Sequence, residues 1–205
     1  MSPSPNPERD SDPPHVLLFT GHRIDDPGRP VPRFPADKAN IARTEIGATI
    51  DDALARHGRN IVGIAGAASG GDILFHEECH ARGVKTTIYL ALPADDYEAQ
   101  SVSSSGPQWT DAYRDLLRKT RTLQLQDADS LALPSNADDY NVWQLTNLWM
   151  LHDALAHGTA HMTLIALWNG DAGDGPGGTA DMVQQVERRG GKVVRLGRDT
   201  IFQSK

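Results

Sequence analysis

The chain has 205 residues, of which 39% are hydrophobic and 23% charged, the proportions of a soluble globular protein that is long enough to bury one core. Its formal net charge of −7 predicts no binding to nucleic acid or to anionic membranes, while a small anionic ligand is still allowed because local groups act at short range. The single cysteine, Cys79, excludes an intramolecular disulfide and, with no apolar run near the roughly 20 residues that span a bilayer, predicts a cytoplasmic protein.

The beginning of the chain differs in composition from the rest. Residues 1–14 are rich in Pro, Ser and Asp, which predicts a disordered N-terminal tail. Residues 15–205 show no internal repeat and no boundary of composition, so we expect them to form a single domain.

Strand and helix patterns alternate along this domain. Short apolar runs predict strands at residues 15–19, 60–65, 85–92, 122–125, 161–168 and 192–196. Apolar residues at helical spacing predict helices at residues 39–54, 71–82, 108–119, 140–157 and 178–189, of which 140–157 is the longest. The proline-rich residues 27–35 predict a loop. This alternation is typical of the α/β class and predicts a three-layer Rossmann-like fold with a mainly parallel sheet.

Polar and glycine-rich segments follow the predicted strands and do not precede them. They cover residues 20–23, 66–72, 93–98 and 169–179. In open parallel sheets the ligand lies beyond the carboxyl ends of the strands, at the point where the strand order reverses. We therefore expect these segments to converge on one rim of the sheet and to form a binding site there.

Two of these segments are glycine-rich loops that lead into a predicted helix. The first contains Ser69, Gly70, Gly71 and Asp72, and the second ends in Gly177, Gly178 and Thr179. Free backbone N–H groups at a helix N-terminus bind phosphate or another anion. The alternative is that both loops are only tight turns with a helix cap. If they hold one anion, Val at Gly71 or Gly178 weakens binding and spares the fold, because both positions are expected outside the core.

The corner after the first strand consists of Thr20, Gly21, His22 and Arg23. Arg23 has the planar fork of donors that suits a phosphate or carboxylate, and His22 can hydrogen-bond a base or a sugar. The alternative for Arg23 is an ion pair with Asp25 or Asp26.

A cluster after the third strand admits two interpretations. It consists of Ser101, Val102, Trp109, Tyr113 and Arg114, which either form a lid over the ligand or belong to ordinary helix packing, and the second is favoured. Asn147 is interpreted as a polar helix position and not as a ligand contact.

Residues 76–80 match the pattern H-E-x-x-H of zinc hydrolases. That chemistry needs two histidines one helical turn apart, a glutamate that activates water, and a third ligand, for which Glu98 has the nearest suitable position. A helical wheel places His76 and His80 largely on the solvent face of the predicted helix, opposite its apolar side. We therefore predict no metal site, and a zinc hydrolase is the most remote alternative.

Four of these segments together resemble the SLOG superfamily, the Rossmann-like group that includes the LOG proteins and the DNA-processing protein A fold. They are residues 19–23, 68–75, 92–93 and 176–179, and the resemblance covers most of residues 15–197. It implies a nucleotide or NAD-derived ligand, such as an ADP-ribose, held between the two glycine loops. The predicted ligand-binding residues are Thr20, Gly21, His22, Arg23, Ser69, Gly70, Gly71, Asp72, Gly177, Gly178 and Thr179.

LOG enzymes end the second loop with a glutamate that supports cleavage of an N-glycosidic bond. In this chain Met182 stands in that place, and the acidic Asp181 comes one residue early. The absence of this glutamate favours sensing of the ligand over its hydrolysis, in bacterial signalling or defence. The sequence leaves open whether the chain then acts as a homo-oligomer or with an effector protein as its partner. The alternative is an N-glycosidic hydrolase of a nucleotide or NAD, with Asp181, Glu78 or Asp174 as its acid. No catalytic residue or cofactor is assigned.

Overall fold

A computed structural model describes residues 12–127, 136–171, 176–198 and 200–202. Residues 1–11, which make up most of the predicted tail, lie outside the described residues. The six strands are β1 (His15–Gly21), β2 (Ile61–Ala65), β3 (Lys85–Leu90), β4 (Arg121–Gln124), β5 (Met162–Leu167) and β6 (Lys192–Leu196). The α-helices are α1 (Ala39–His57), α2 (Gly71–Ala81), α3 (Ala94–Ser101), α4 (Pro107–Lys119), α5 (Val142–Ala154) and α6 (Thr179–Arg188).

The strands form one sheet in which every pair is parallel, in the order β4-β3-β2-β1-β5-β6. The chain moves outward from β1 to β4, and then crosses to the other side of β1 to add β5 and β6. The strand order therefore reverses between β1 and β5, where Leu18 lies opposite Leu164. The prediction of a three-layer α/β fold with a mainly parallel sheet is confirmed.

Helices cover both faces of the sheet, and alternate residues of the central strands pack against them. In β1, Leu17 and Phe19 belong to the hydrophobic cluster that includes α1, α2 and α4. Val16 and Leu18 belong to the cluster formed with α5 and α6. Because both of their faces are buried, the central strands β1, β2 and β5 are mostly apolar. Within the described residues, no helix is both long enough and apolar enough to cross a membrane.

Two helices differ from the prediction. The helix α3 was not predicted; it begins after Pro93, has Asp95 and Asp96 in its first turn, and buries Tyr97 and Ser101. The predicted helix 140–157 is shorter, since its first turn is fixed by a capping box between Asn141 and Gln144 and it ends at Ala154. The 19-residue α1 is the longest helix in the described part of the chain.

Gly71, at the start of α2, is buried against the core, which contradicts the expectation that it lies outside it. A Cβ at this position would lie 3.1 Å from the Phe19 ring and 3.4 Å from the Cα of Gly21. The glycine therefore allows α2 to approach the end of β1 closely. Such close packing of helix on strand is a structural role that needs no ligand.

We therefore predict that Gly71→Val destabilises the fold itself. Overpacking of a filled core costs about 1–3 kcal/mol, so the free energy of unfolding falls by this amount and Gly71→Ala shows a smaller loss. Urea unfolding of the wild type and both variants measures the series. Equal stability of the three chains would show that the space around Gly71 adjusts freely.

Candidate functional site

A cavity of about 440 Å³ opens at the carboxyl end of the sheet, beside the reversal of strand order. Its walls come from the ends of β1 and β2, from the first turn of α2, from α3 and α5, and from the loop before α6. This volume is within the range of roughly 300–1,000 Å³ that is typical of small-molecule sites.

The cavity brings together residues from each of the four segments predicted to converge, with Tyr97 from residues 93–98. The predicted ligand-binding residues that line it are Thr20, Gly21, His22, Arg23, Asp72, Gly177, Gly178 and Thr179. Ser69, Gly70 and Gly71 are absent from its described walls. The Ser69 hydroxyl is buried and bonds to that of Ser105 at 2.6 Å, and Gly70 forms a backbone bridge with Arg23. These three residues therefore pack behind the residues that line the cavity.

Asp72 provides a carboxylate in the first turn of α2. Its Oδ2 accepts a hydrogen bond from the Ala68 N–H at 3.2 Å. Burial raises the pKa of Asp72 to about 7, although the Ala68 N–H acts in the opposite direction. Asp72 is therefore an acid in the cavity wall that changes its charge near neutral pH.

The loop before α6 repeats this arrangement. The Asp181 Oδ2 accepts a hydrogen bond from the Gly177 N–H at 3.1 Å. In both loops, a carboxylate four residues later in the chain thus accepts a hydrogen bond from a backbone N–H group. The sequence pattern predicts that such N–H groups bind a phosphate. Any phosphate of a ligand therefore depends more on arginine side chains than on these two N–H groups.

Arg23 makes the ion pair with Asp26 that was given as its alternative, and it also lines the cavity, so its binding of a phosphate or carboxylate stays a prediction. Its Nη1 donates to the Gln100 carbonyl at 2.6 Å, and its Nη2 lies 3.4 Å from Asp26. Arg33 also lines the cavity and was not predicted. The Asp25 carboxylate accepts the N–H groups of Arg33 and Phe34, each at 2.8 Å, and so folds the proline-rich loop back toward the site.

His22 ties the cavity wall to the strand on the other side of the reversal. Its backbone N–H donates to the Leu167 carbonyl at 3.0 Å, and its Nε2 lies 3.1 Å from the Asn169 side-chain oxygen. The ring is buried and contacts the edge of Phe202. Its position therefore depends on the end of β5 and on the last described residues of the chain.

Aromatic rings and an amide complete the walls. The Tyr97 ring lies 5.6 Å from the Trp143 ring, and the Tyr97 hydroxyl accepts the Ala67 N–H at 3.1 Å. The Asn147 amide donates to the Gly177 carbonyl at 2.8 Å and lines the cavity, so this residue is more than a polar helix position. The sequence signal for these three residues is weak, because single aromatic or amide residues on helices are usually structural.

The lid interpretation is wrong for Trp109, Tyr113 and Arg114. Trp109 and Tyr113 are buried in the core beside α2, and Tyr113 donates to the Ala94 carbonyl at 2.9 Å. Arg114 is exposed and pairs with Glu98 at 2.7 Å. None of these three lines the cavity, whereas Ser101 from the same cluster does.

The placement of His76 on the solvent face is also wrong, because its side chain is completely buried. The helix α2 packs between the sheet, α1 and α4, so it has no wide solvent face. The His76 Nε2 donates to the Gly66 carbonyl and its Nδ1 contacts the Thr86 hydroxyl, both at 2.8 Å, while the His80 Nε2 lies 3.0 Å from the same hydroxyl. The motif thus positions a cavity residue, Gly66.

Of the three acids suggested for hydrolysis, the two that the structure describes, Glu78 and Asp181, do not line the cavity. Glu78 pairs with Arg43 at 3.1 Å and with Arg82 at 2.6 Å, on the side of α2 that faces α1. Asp181 is bonded to Gly177, and Asp174 lies outside the described residues. In the described parts of the chain, no group of three or more His, Cys, Asp or Glu side chains is arranged to hold a metal ion.

The fold and cavity define a doubly wound α/β protein with a small-molecule-sized site at its switch point. No protein-family model matches the chain, and no curated protein matches it. It is similar to DNA processing protein A (DprA) from Streptococcus pneumoniae, with a TM-score of 0.43 and 14% identity, over 94% of this chain and 62% of that one. The chain thus spans less than two thirds of its neighbour, and the resemblance stated from the sequence is confirmed at the level of the fold.

This neighbour corrects one expectation. The net charge of −7 was taken to exclude nucleic acid as a partner. A chain described as a DNA processing protein has a similar fold, so the exclusion of nucleic acid is wrong. Overall charge averages over the whole surface and does not decide what one face of a fold binds.

We predict that Asp72→Asn stabilises the chain at alkaline pH. The folded-state pKa of about 7 lies above the ordinary value of 3.8, so the folded chain binds more protons between these values and stability falls as pH rises through that window. Removal of the acid should raise the free energy of unfolding by roughly 2–4 kcal/mol at pH 8 and hardly at all at pH 4. Urea unfolding at both pH values measures this, with Asp96→Asn, an exposed acid of α3, as the matched control.

We also predict that the buried His76 makes the fold sensitive to acid. Burial lowers the pKa of His76 to about 4 from an ordinary 6.5, against the effect of the Gly66 carbonyl, so the unfolded chain binds more protons in this window. Its contribution to stability is complete above pH 6.5 and is lost as pH falls toward 4. His76→Gln keeps one donor and one acceptor but does not titrate, so its melting temperature should fall less than that of the wild type between pH 7 and pH 5. Parallel pH curves for the two chains would contradict this role.

Proposed function

We propose that this chain binds a nucleotide or a nucleotide-derived small molecule, such as an ADP-ribose, as a sensor. The observation that carries the proposal is the composition of one cavity of about 440 Å³, which combines arginines, aromatic rings and a carboxylate. A nucleotide has a part that suits each of them: an anionic phosphate, a flat base and a hydroxylated sugar.

The phosphate is assigned to Arg23 and Arg33. Arg23 is only one-third exposed, and its backbone anchor on Gln100 leaves Asp26, at 3.4 Å, as its anionic partner. A phosphate with two oxygens in the plane of the guanidinium competes well with a contact of that length. Arg33 also lines the cavity, so a second cation is present in the wall that binds this anion.

The base is assigned to the wall formed by Tyr97 and Trp143. Aromatic faces stack on any base, a contact worth about 1–3 kcal/mol. Asn147 follows Trp143 by one helical turn and adds an amide to the same wall. An amide offers both a donor and an acceptor to the edge of a base.

The position of Met182 supports binding without turnover. This residue stands where LOG enzymes have a glutamate, and it is buried in the core between α6 and the sheet. An apolar side chain in that place supplies no charge to an oxocarbenium-like transition state. We therefore assign a ligand-sensing role, in signalling or defence.

Calorimetry with AMP, NAD, ADP-ribose and cyclic ADP-ribose tests the proposal. At least one of them should bind at submillimolar concentration and be recovered intact by chromatography. Arg23→Ala should weaken that binding by about 1.5–3 kcal/mol, because a charged hydrogen bond is lost. Arg114→Ala, which removes an exposed arginine outside the cavity, is the matched control and should bind as the wild type does. If none of the four binds at millimolar concentration, the proposed function is wrong.

A further inference from the structure

Asp72 differs from the other acids of the chain in what surrounds it. Among the described residues it is the only Asp or Glu that lines the cavity. Its Oδ2 is used by the Ala68 N–H, and in the described part of the chain its Oδ1 has no hydrogen-bond partner. One acceptor of this side chain is therefore left for something that enters the cavity.

Tyr97 supplies a second polar atom at the same place. Its hydroxyl oxygen accepts the Ala67 N–H, and its own proton has no acceptor among the described residues. Burial raises the pKa of Tyr97, and the negative charge of Asp72 raises it further, so the hydroxyl keeps its proton and lies within electrostatic range of the carboxylate. The pair thus offers one free acceptor and one free donor.

Gly66 lies close to both of these groups in the cavity wall. A Cβ at this position would lie 2.7 Å from the Asp72 Oδ2 and 3.0 Å from the Tyr97 hydroxyl, so a side chain here would crowd both groups. The Gly66 carbonyl accepts a hydrogen bond from His76, which fixes the backbone beside them. We call the part of the cavity wall formed by Gly66, Asp72 and Tyr97 the notch.

We propose that the notch recognises a sugar hydroxyl of the ligand, and this inference rests on the proposed function. A hydroxyl is both a donor and an acceptor. It donates to the Asp72 Oδ1 and accepts the proton of Tyr97, so it satisfies both free groups at once. A hydrogen atom in its place leaves both of them unpaired inside the cavity, and buried polar groups without partners strongly disfavour the analogue that lacks the hydroxyl.

The assignment fixes the orientation of the ligand in the cavity. The arginines hold the phosphate and the notch holds the ribose, so ligands that lack a hydroxyl on that sugar are rejected. The inference therefore names a ribonucleotide as the ligand and excludes a deoxynucleotide.

Titration of AMP, 2′-deoxy-AMP and 3′-deoxy-AMP by calorimetry tests this. The wild type should bind AMP at least tenfold more tightly than one of the two deoxy analogues. Asp72→Asn turns the free acceptor into a donor while it keeps an oxygen for Ala68, and Tyr97→Phe removes the free donor. In each variant AMP should bind no better than the disfavoured analogue. Asp96→Asn changes the net charge equally outside the cavity and should keep the tenfold preference.

Gly66→Ala gives an independent test, because its methyl group displaces Asp72 and Tyr97 without a change in charge. It should remove the preference for AMP, and a thermal melt shows whether the variant is folded. Equal binding of all three nucleotides by the wild type, or an unchanged preference in the Asp72 and Tyr97 variants, overturns the notch and leaves the proposed function standing. No binding of any nucleotide, ADP-ribose included, overturns both.

Discussion

The structure depends on the position of β1 in the middle of a parallel sheet. This strand pairs with β2 on one side and β5 on the other, and both of its faces are buried. Because the chain builds the sheet outward in opposite directions from β1, the connections that follow β1 and β5 separate above the sheet. A crevice is left at the carboxyl ends of the strands, and the cavity lies in it. The corner at Thr20–Arg23 faces this crevice because β1 ends there.

The sequence was most informative where one physical requirement decides the structure. Strands that are buried on both faces must be almost continuously apolar, which is why β1, β2 and β5 were predicted to within two residues at each end. Position relative to the strands also predicted which segments form the cavity. The helix α3 was missed because its turns contain mostly polar residues, and only Tyr97 and Ser101 are buried. Arg33 was missed because its backbone N–H donates to the carboxylate of Asp25, which lies outside the local pattern around it. Such a bond cannot be inferred from the neighbouring residues alone.

The glycine loops show why a phosphate-binding pattern is ambiguous in sequence. A loop that exposes N–H groups at a helix start attracts any negative charge, including a carboxylate of the same helix. In this chain Asp72 and Asp181 both bond back to the loop four residues before them. These acids are visible in the sequence, but their rotamers are not. Whether an aspartate in the first turn closes a loop or faces solvent is decided by packing of the helix on the sheet.

The pair of histidines in α2 has a consequence for the recognition of metalloenzymes by pattern. A search for H-E-x-x-H would retrieve this chain, although in the described residues the two histidines bond to Gly66 and Thr86 and form no metal-binding cluster. It would nevertheless point close to the candidate site, since His76 holds the carbonyl of Gly66 and anchors it to β3 through Thr86. The two imidazoles connect α2 to β3, because both contact the Thr86 hydroxyl. A spacing of one helical turn, which suits two ligands of a metal ion, also suits two rings that share one hydroxyl.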